Sequence, residues 1–141
     1  MTPTAQVVID CENPHLLASF WATALEVEVE DHHDQINRLL EEGRFEISDD
    51  VIEVDGRLKW RSAAACSDPA EKLPRVLCQV VPEPKTVKNR VHLDIRVEDG
   101  QRQAKVEQLE QIGAVRLWDG QQGPFSWVTM ADPEGNEFCL T

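Results

Sequence analysis

Residues 92–99 read HLDIRVED, and from the preceding Val91 onward Val91, Leu93, Ile95 and Val97 alternate with His92, Asp94 and Arg96. A period of two belongs to a strand with one apolar and one ionisable face. The strand leads into a helical pattern over Gln101–Ile112, with Val106, Leu109 and Ile112 turned inward and Gly113 as its stop. The start of the chain repeats this unit. Gln6, Val8 and Asp10 alternate with Val7, Ile9 and Cys11, Asn13 caps a helix and Pro14 takes its first position. Leu16, Leu17, Phe20, Trp21 and Leu25 then form a stripe at helical spacing. Gln6 to Asn13 and His92 to Asp99 are equal intervals of seven, which makes Gln6 the counterpart of His92.

Each half closes on a short apolar strand behind an Asp-Pro turn. Asp68-Pro69 leads to VLCQVV, and Asp132-Pro133 leads to EFCLT. With about four more residues between turn and strand in the first half, Gln79 becomes the counterpart of Cys139. Between these ends lie Glu26–Glu30, which alternates as a strand, the polar break His32-His33, and a short helical pattern over Gln35–Glu42. VIEVDGRLKW then reads as a hairpin about Asp55-Gly56, followed by strands at AAAC and Arg75–Val81. In the second half, AVRLW, FSWVTMA and EFCLT are three strands separated by turns at Asp119-Gly120 and DPEGN. The order is strand, helix, three strands, twice. It predicts one α+β domain over 1–141, with module one at about 1–83 carrying an insertion near 31–74, and module two at about 88–141. The proline-containing connector PEPKTVKN joins them, and each half alone is too small for a secure core.

Composition narrows the function. The 141 residues are 41% apolar, enough for a core, and carry a formal net charge of −12. Phosphate binding draws on a basic face, so nucleic acid and anionic lipid are excluded as expected partners and small molecules or proteins remain. No run has the length of a membrane span and MTPTAQ lacks the features of a secretion signal, so the cytoplasm is the expected location. Cys11, Cys66, Cys78 and Cys139 include no CxxC pair and read as buried free thiols. No GxSxG, phosphate loop or GxGxxG is present.

On the face opposite the apolar one, His92, Asp94 and Arg96 occupy the second module's first strand, and Gln6, Val8 and Asp10 the first module's. Gln79, Glu137 and Cys139 sit on the closing strands. Two curved sheets brought face to face would converge these groups on one cavity, as a ligand or metal site requires. A solvent-facing sheet gives the same alternation, and a core histidine bonded to Asp94 or a carbonyl is the bland account of His92. Arg96 either anchors a substrate carboxylate or phosphate, or neutralises Asp10 and Asp94. Trp118 and Trp127 flank DGQQGPF, whose two glycines suit a lid, and offer aromatic walls to a ligand; Trp21 and Trp60 read as fillers of the core. His15 reads as exposed, and His32-His33 would need a third ligand to hold a metal.

HLDIRVED, the ending DGQQGPFSWVTMADPEGNEFCL and the opening VVIDCENPHLLASFWATAL resemble the vicinal oxygen chelate superfamily, in particular its glyoxalase-like, bleomycin-resistance-like branch. The resemblance implies paired βαβββ modules around a U-shaped cleft, a homodimer, and in many members a divalent metal. Carried over by position, the metal places are Gln6, His92, Gln79 and Cys139, with Cys139 where the pattern has a glutamate and Glu137 two residues earlier. Amides are weak donors, and a thiolate favours zinc over iron, nickel or manganese. Taken together with the reading of the residues, this gives a small-molecule protein with His92 and Glu137 for proton chemistry and Gln6, Gln79, Asp94, Arg96, Trp118, Trp127 and Cys139 for the ligand. Lyase, isomerase or dioxygenase activity on adjacent oxygens is one expectation. A metal-free, non-enzymatic drug- or metabolite-binding protein is the other.

Overall fold

A computed structural model describes residues 1–44 and 49–141; residues 45–48, within the expected insertion, lie outside the described residues. The first module comprises β1 (Val7–Cys11), α1 (Pro14–Leu25), β2 (Glu28–Val29), α2 (His33–Glu41), β3 (Val51–Val54), β4 (Arg57–Trp60), β5 (Ala63–Ser67) and β6 (Val76–Val80). The second comprises β7 (Asp94–Ile95), α3 (Arg102–Gln111), β8 (Val115–Gln122), β9 (Phe125–Ala131) and β10 (Glu137–Leu140). The sheet orders are β1-β6-β5-β2 and β7-β10-β9-β8. They are the same topology: the first strand pairs in parallel with the last, and the remaining contacts are antiparallel. The insertion between the second and third strands of module one is α2 plus the separate β3–β4 hairpin, which turns at Asp55 and Gly56, both with positive φ.

Helix α1 starts where the sequence provides its signals. The Asn13 carboxamide oxygen accepts the Leu16 amide, and Pro14 costs no helical hydrogen bond at the first position. Leu17, Phe20 and Trp21 are buried, and the two aromatic rings meet Phe138 of β10: the Trp21 and Phe138 ring centroids are 5.2 Å apart and edge-on, and those of Phe20 and Phe138 are 5.9 Å apart. One apolar cluster therefore joins both modules, adding Val76 and Cys78 from the first sheet to Val128, Met130 and Leu140 from the second.

Polar contacts fix the same junction. The Trp21 indole N–H donates to Asp132 Oδ2 at 3.1 Å, and Glu134 accepts the amides of Glu12 and Asn13 at 2.6 and 2.8 Å. The DPEGN turn of module two thus grips the strand-to-helix corner of module one. Burial pushes the Asp132 carboxyl above its ordinary value, against the pull of donors from Asn136, Glu134 and Trp21.

Sequence expectations change at β8 and at His15. Asp119-Gly120 is not a turn: β8 runs through it and the chain reverses at Gly123-Pro124. Gly120 is needed flat in the sheet, because the Trp127 indole lies over it and a Cβ there would stand 2.1 Å from the ring. DGQQGPF is accordingly the end of a β-hairpin and not a separate loop. His15 is half-buried, and its Nε2 donates to the Trp60 carbonyl at 2.8 Å.

Candidate functional site

The two copies can be aligned on their own hydrogen bonding. Cys66 pairs with Val76 and Met130 pairs with Phe138, and all four are buried. Two residues beyond Cys66 and Met130 stand Asp68 and Asp132, each accepting the amide two positions further on, from Ala70 at 2.8 Å and Glu134 at 2.9 Å. From Asp68 to Val76 is eight steps and from Asp132 to Phe138 is six, so the first turn is longer by two residues. That register makes Leu77, and not Gln79, the counterpart of Cys139. On the neighbouring strands Val8 pairs with Leu77 and Asp94 with Cys139, which makes Val8 the counterpart of Asp94 and keeps Gln6 as that of His92. A first turn longer by four residues, as expected from the sequence, puts Gln79 two residues out, on the correct face but one row away.

The open faces of the two sheets therefore differ. One row of the first sheet carries Val8, Leu77 and Ala65; the corresponding row of the second carries Asp94, Cys139 and Thr129. His92 precedes Asp94 by two on the same face, and its Nε2 is 3.4 Å from Asp94 Oδ1. Cys139 is buried, with Sγ 3.4 Å from Thr129 Oγ1. Among the described residues, His92, Asp94 and Cys139 each offer a ligand atom, and these atoms lie within 4.8 Å of one another.

The remaining predicted residues are placed elsewhere. Gln6 accepts from Arg75 Nη1 at 3.0 Å; Arg75 in turn holds both oxygens of Glu30, at 2.7 and 2.9 Å, and His32 meets Glu30 at 2.9 Å. The hydrogen bond from Arg75 draws the Glu30 carboxyl down to about 2, outweighing burial. Gln79 is exposed opposite Asp10. Glu137 accepts from Lys85 Nζ at 3.0 Å and from the Asn89 amide at 2.9 Å. Burial raises its carboxyl, but those donors overcome the effect and leave it below its ordinary value. Both oxygens are thus engaged in holding the connector, an arrangement ill suited to a general base. Arg96 is exposed and, among the described residues, makes no ion pair with Asp10 or Asp94, whose partner is His92. Trp118 is exposed on β8 in the row of Thr129, and Trp127 lies on Gly120.

A cleft of about 1580 Å³ runs along β1, the β1–α1 corner, the connector and the DPEGN turn, and reaches Val91–Leu93. Of the predicted residues, His92 and Glu137 line it. Gln6, Gln79, Arg96, Trp118 and Trp127 do not. Asp94 and Cys139 do not line it either, but stand next to His92. In the superfamily's metal pattern, the place of Gln6 is engaged by Arg75 and that of Gln79 is out of register with Cys139; the group of histidine, cysteine and acidic donors that gathers among the described residues, His92, Asp94 and Cys139, lies wholly in module two. Thr129 and Asp132 had no site signal in the sequence, since a lone threonine in an apolar strand and the aspartate of a turn look structural.

No curated protein matches the sequence. Among solved structures, the fosfomycin resistance protein FosX of Mesorhizobium loti aligns over 99% of this chain and 90% of its own, with 9% identity and a TM-score of 0.64. A glyoxalase/bleomycin resistance protein/dioxygenase family enzyme of Burkholderia phytofirmans aligns over 96% and 94%, at 11% identity and a TM-score of 0.63. A glyoxalase/bleomycin resistance protein of Albidiferax ferrireducens aligns over 97% and 95%, at 13% identity and 0.56. At such identities the likeness is one of fold. A family model described as the glyoxalase-like domain matches residues 6–141. With its twice-used βαβββ topology, the chain belongs to the glyoxalase-like domain family of the vicinal oxygen chelate superfamily.

Proposed function

We propose that this protein binds a small organic molecule, neutral or positively charged, in the cleft between β1 and the connector, with His92 as the contact that orients it. The carrying observation is that His92 is both part of the cleft wall and a member of the one cluster of convergent donor atoms among the described residues. The charge preference follows from which side chains are already engaged. Lys85 is held by Glu137, Arg61 by the Asp49 carbonyl and His15 by the Trp60 carbonyl, whereas Asp10, Glu12 and Glu83 in the same wall are exposed. Exposed Val8 and Val91 supply apolar contact. Binding alone is the reading the geometry favours over lyase, isomerase or dioxygenase chemistry, because the residue expected as base, Glu137, is tied to Lys85 and Asn89.

Four buried free thiols suit a reducing compartment, and the cytoplasm is part of this reading. So is a homodimer, for which the exposed Leu117, Trp118 and Phe125 on β8 and β9 provide apolar surface; light scattering tests it. The function itself is tested by thermal shift on metal-free protein against small aromatic amines, neutral amides and aromatic sulfonates. Amines or amides are expected to raise the melting temperature, and His92→Ala is expected to remove the effect. A shift by sulfonates alone, or one unaffected by His92→Ala, would refute the reading.

A further inference from the structure

We propose that His92, Asp94 and Cys139 form a zinc-type metal site carried by the second module alone, in place of the two-module donor set that the superfamily pattern would use. The duplication supplies an internal control. The same rows of the same topology are filled in module one by Val8, Leu77 and Ala65 and in module two by Asp94, Cys139 and Thr129. The fold accepts apolar residues there, so the polar row is not a requirement of the scaffold.

The donor chemistry selects the ion. One imidazole nitrogen, one carboxylate oxygen and one thiolate sulfur suit zinc, whereas magnesium and manganese favour all-oxygen sets. Asp94 and an ionised Cys139 together neutralise the charge of a divalent ion. Bond lengths of about 2.0–2.3 Å place tetrahedral donors about 3.3–3.6 Å apart. His92 and Asp94 already meet that at 3.4 Å, and the remaining separations, up to 4.8 Å, close by rotation of the two exposed side chains toward Cys139. Thr129 Oγ1, 3.4 Å from the sulfur, orients the thiol from behind. Among the described residues no further histidine, cysteine or carboxylate joins the group, which leaves the fourth position for water or a ligand oxygen. Because the thiol must lose its proton to bind, loading the site releases acid.

Cobalt(II) titration of the full-length apo protein tests the site without any assay of activity. One cobalt per chain is expected, with tetrahedral visible bands, a thiolate-to-cobalt charge-transfer band, proton release, and displacement by zinc. Cys139→Ser is expected to lose the charge-transfer band. Asp94→Asn and His92→Gln, both at exposed positions that leave the core untouched, are expected to lose stoichiometric binding even if Cys139→Ser fails to fold. Gln6→Ala and Gln79→Ala are expected to bind as wild type. Absence of binding, cobalt bound without the charge-transfer band, or loss of binding in either glutamine variant would each overturn the proposal. The organic-ligand shift is measured on metal-free protein, so either reading can fail while the other stands.

Discussion

At the residue scale, single carboxylates hold this fold at points where a backbone or a cation would otherwise lack its partner. Glu134 takes two amides at the start of α1, where the helix dipole also favours a negative charge. Glu134→Ala leaves those amides to water and is expected to cost about 1–2 kcal/mol in denaturant unfolding. Glu30 acts through its charge. Its carboxyl sits at about 2 in the folded chain against an ordinary 4.5, so its contribution is complete above pH 4.5 and is lost as pH falls from there toward 2. Melting temperatures of wild type and Glu30→Gln are expected to differ at pH 6 and converge near pH 2; a constant difference would show that the charge is not the cause. The match of His92 to Gln6 was legible because alternation fixes a strand's face; α3 begins at Arg102 and not at Asp99, so the match holds through strand pairing and not through equal distances to a helix cap. Leu77 was not legible, because the counterpart of Cys139 in module one depends on the length of a turn, and composition does not encode two residues of turn.

Elements were legible where the local signal and the tertiary demand agree. α3 lies within the expected Gln101–Ile112 without a side-chain cap at its start, and α1 and the Asp55-Gly56 hairpin stand where cap and turn residues place them. β8 did not, since Asp-Gly is a turn signal until a neighbour requires glycine for another reason, here the Trp127 ring over Gly120. The expected strand Glu26–Glu30 narrows to Glu28–Val29, and Val91–Val97 to Asp94–Ile95, although Leu93 and Val97 still bond to β10 and Thr141. Both are edge strands, where pairing on one side alone marks the ends weakly. Gly120→Ala is expected to eject the indole and destabilise the chain by about 1–3 kcal/mol, seen as a red-shifted tryptophan emission with a lower melting temperature. An unchanged emission spectrum would mean that the ring does not rest on Gly120.

For the whole molecule, the repeat fixed the architecture, while what joins the copies was hidden in residues that read as filler. Trp21 and Phe20 pack on Phe138, and Asp132 and Glu134 reach back to Trp21, Glu12 and Asn13, so the core belongs to neither module alone. Residues 1–83 and 88–141 made separately are expected to lack cooperative thermal transitions, with a transition restored on mixing if the halves dock as they do in the intact chain. The duplication also shows the asymmetry directly: one copy has an apolar row of Val8, Leu77 and Ala65 where the other has Asp94, Cys139 and Thr129, with His92 in the place of Gln6. The most direct test of that asymmetry is anomalous diffraction at the zinc edge from crystals of the intact protein grown with zinc. A single peak within bonding distance of His92, Asp94 and Cys139 is the predicted result. A peak bound by Gln6 and Gln79, or none beside His92, would contradict the account.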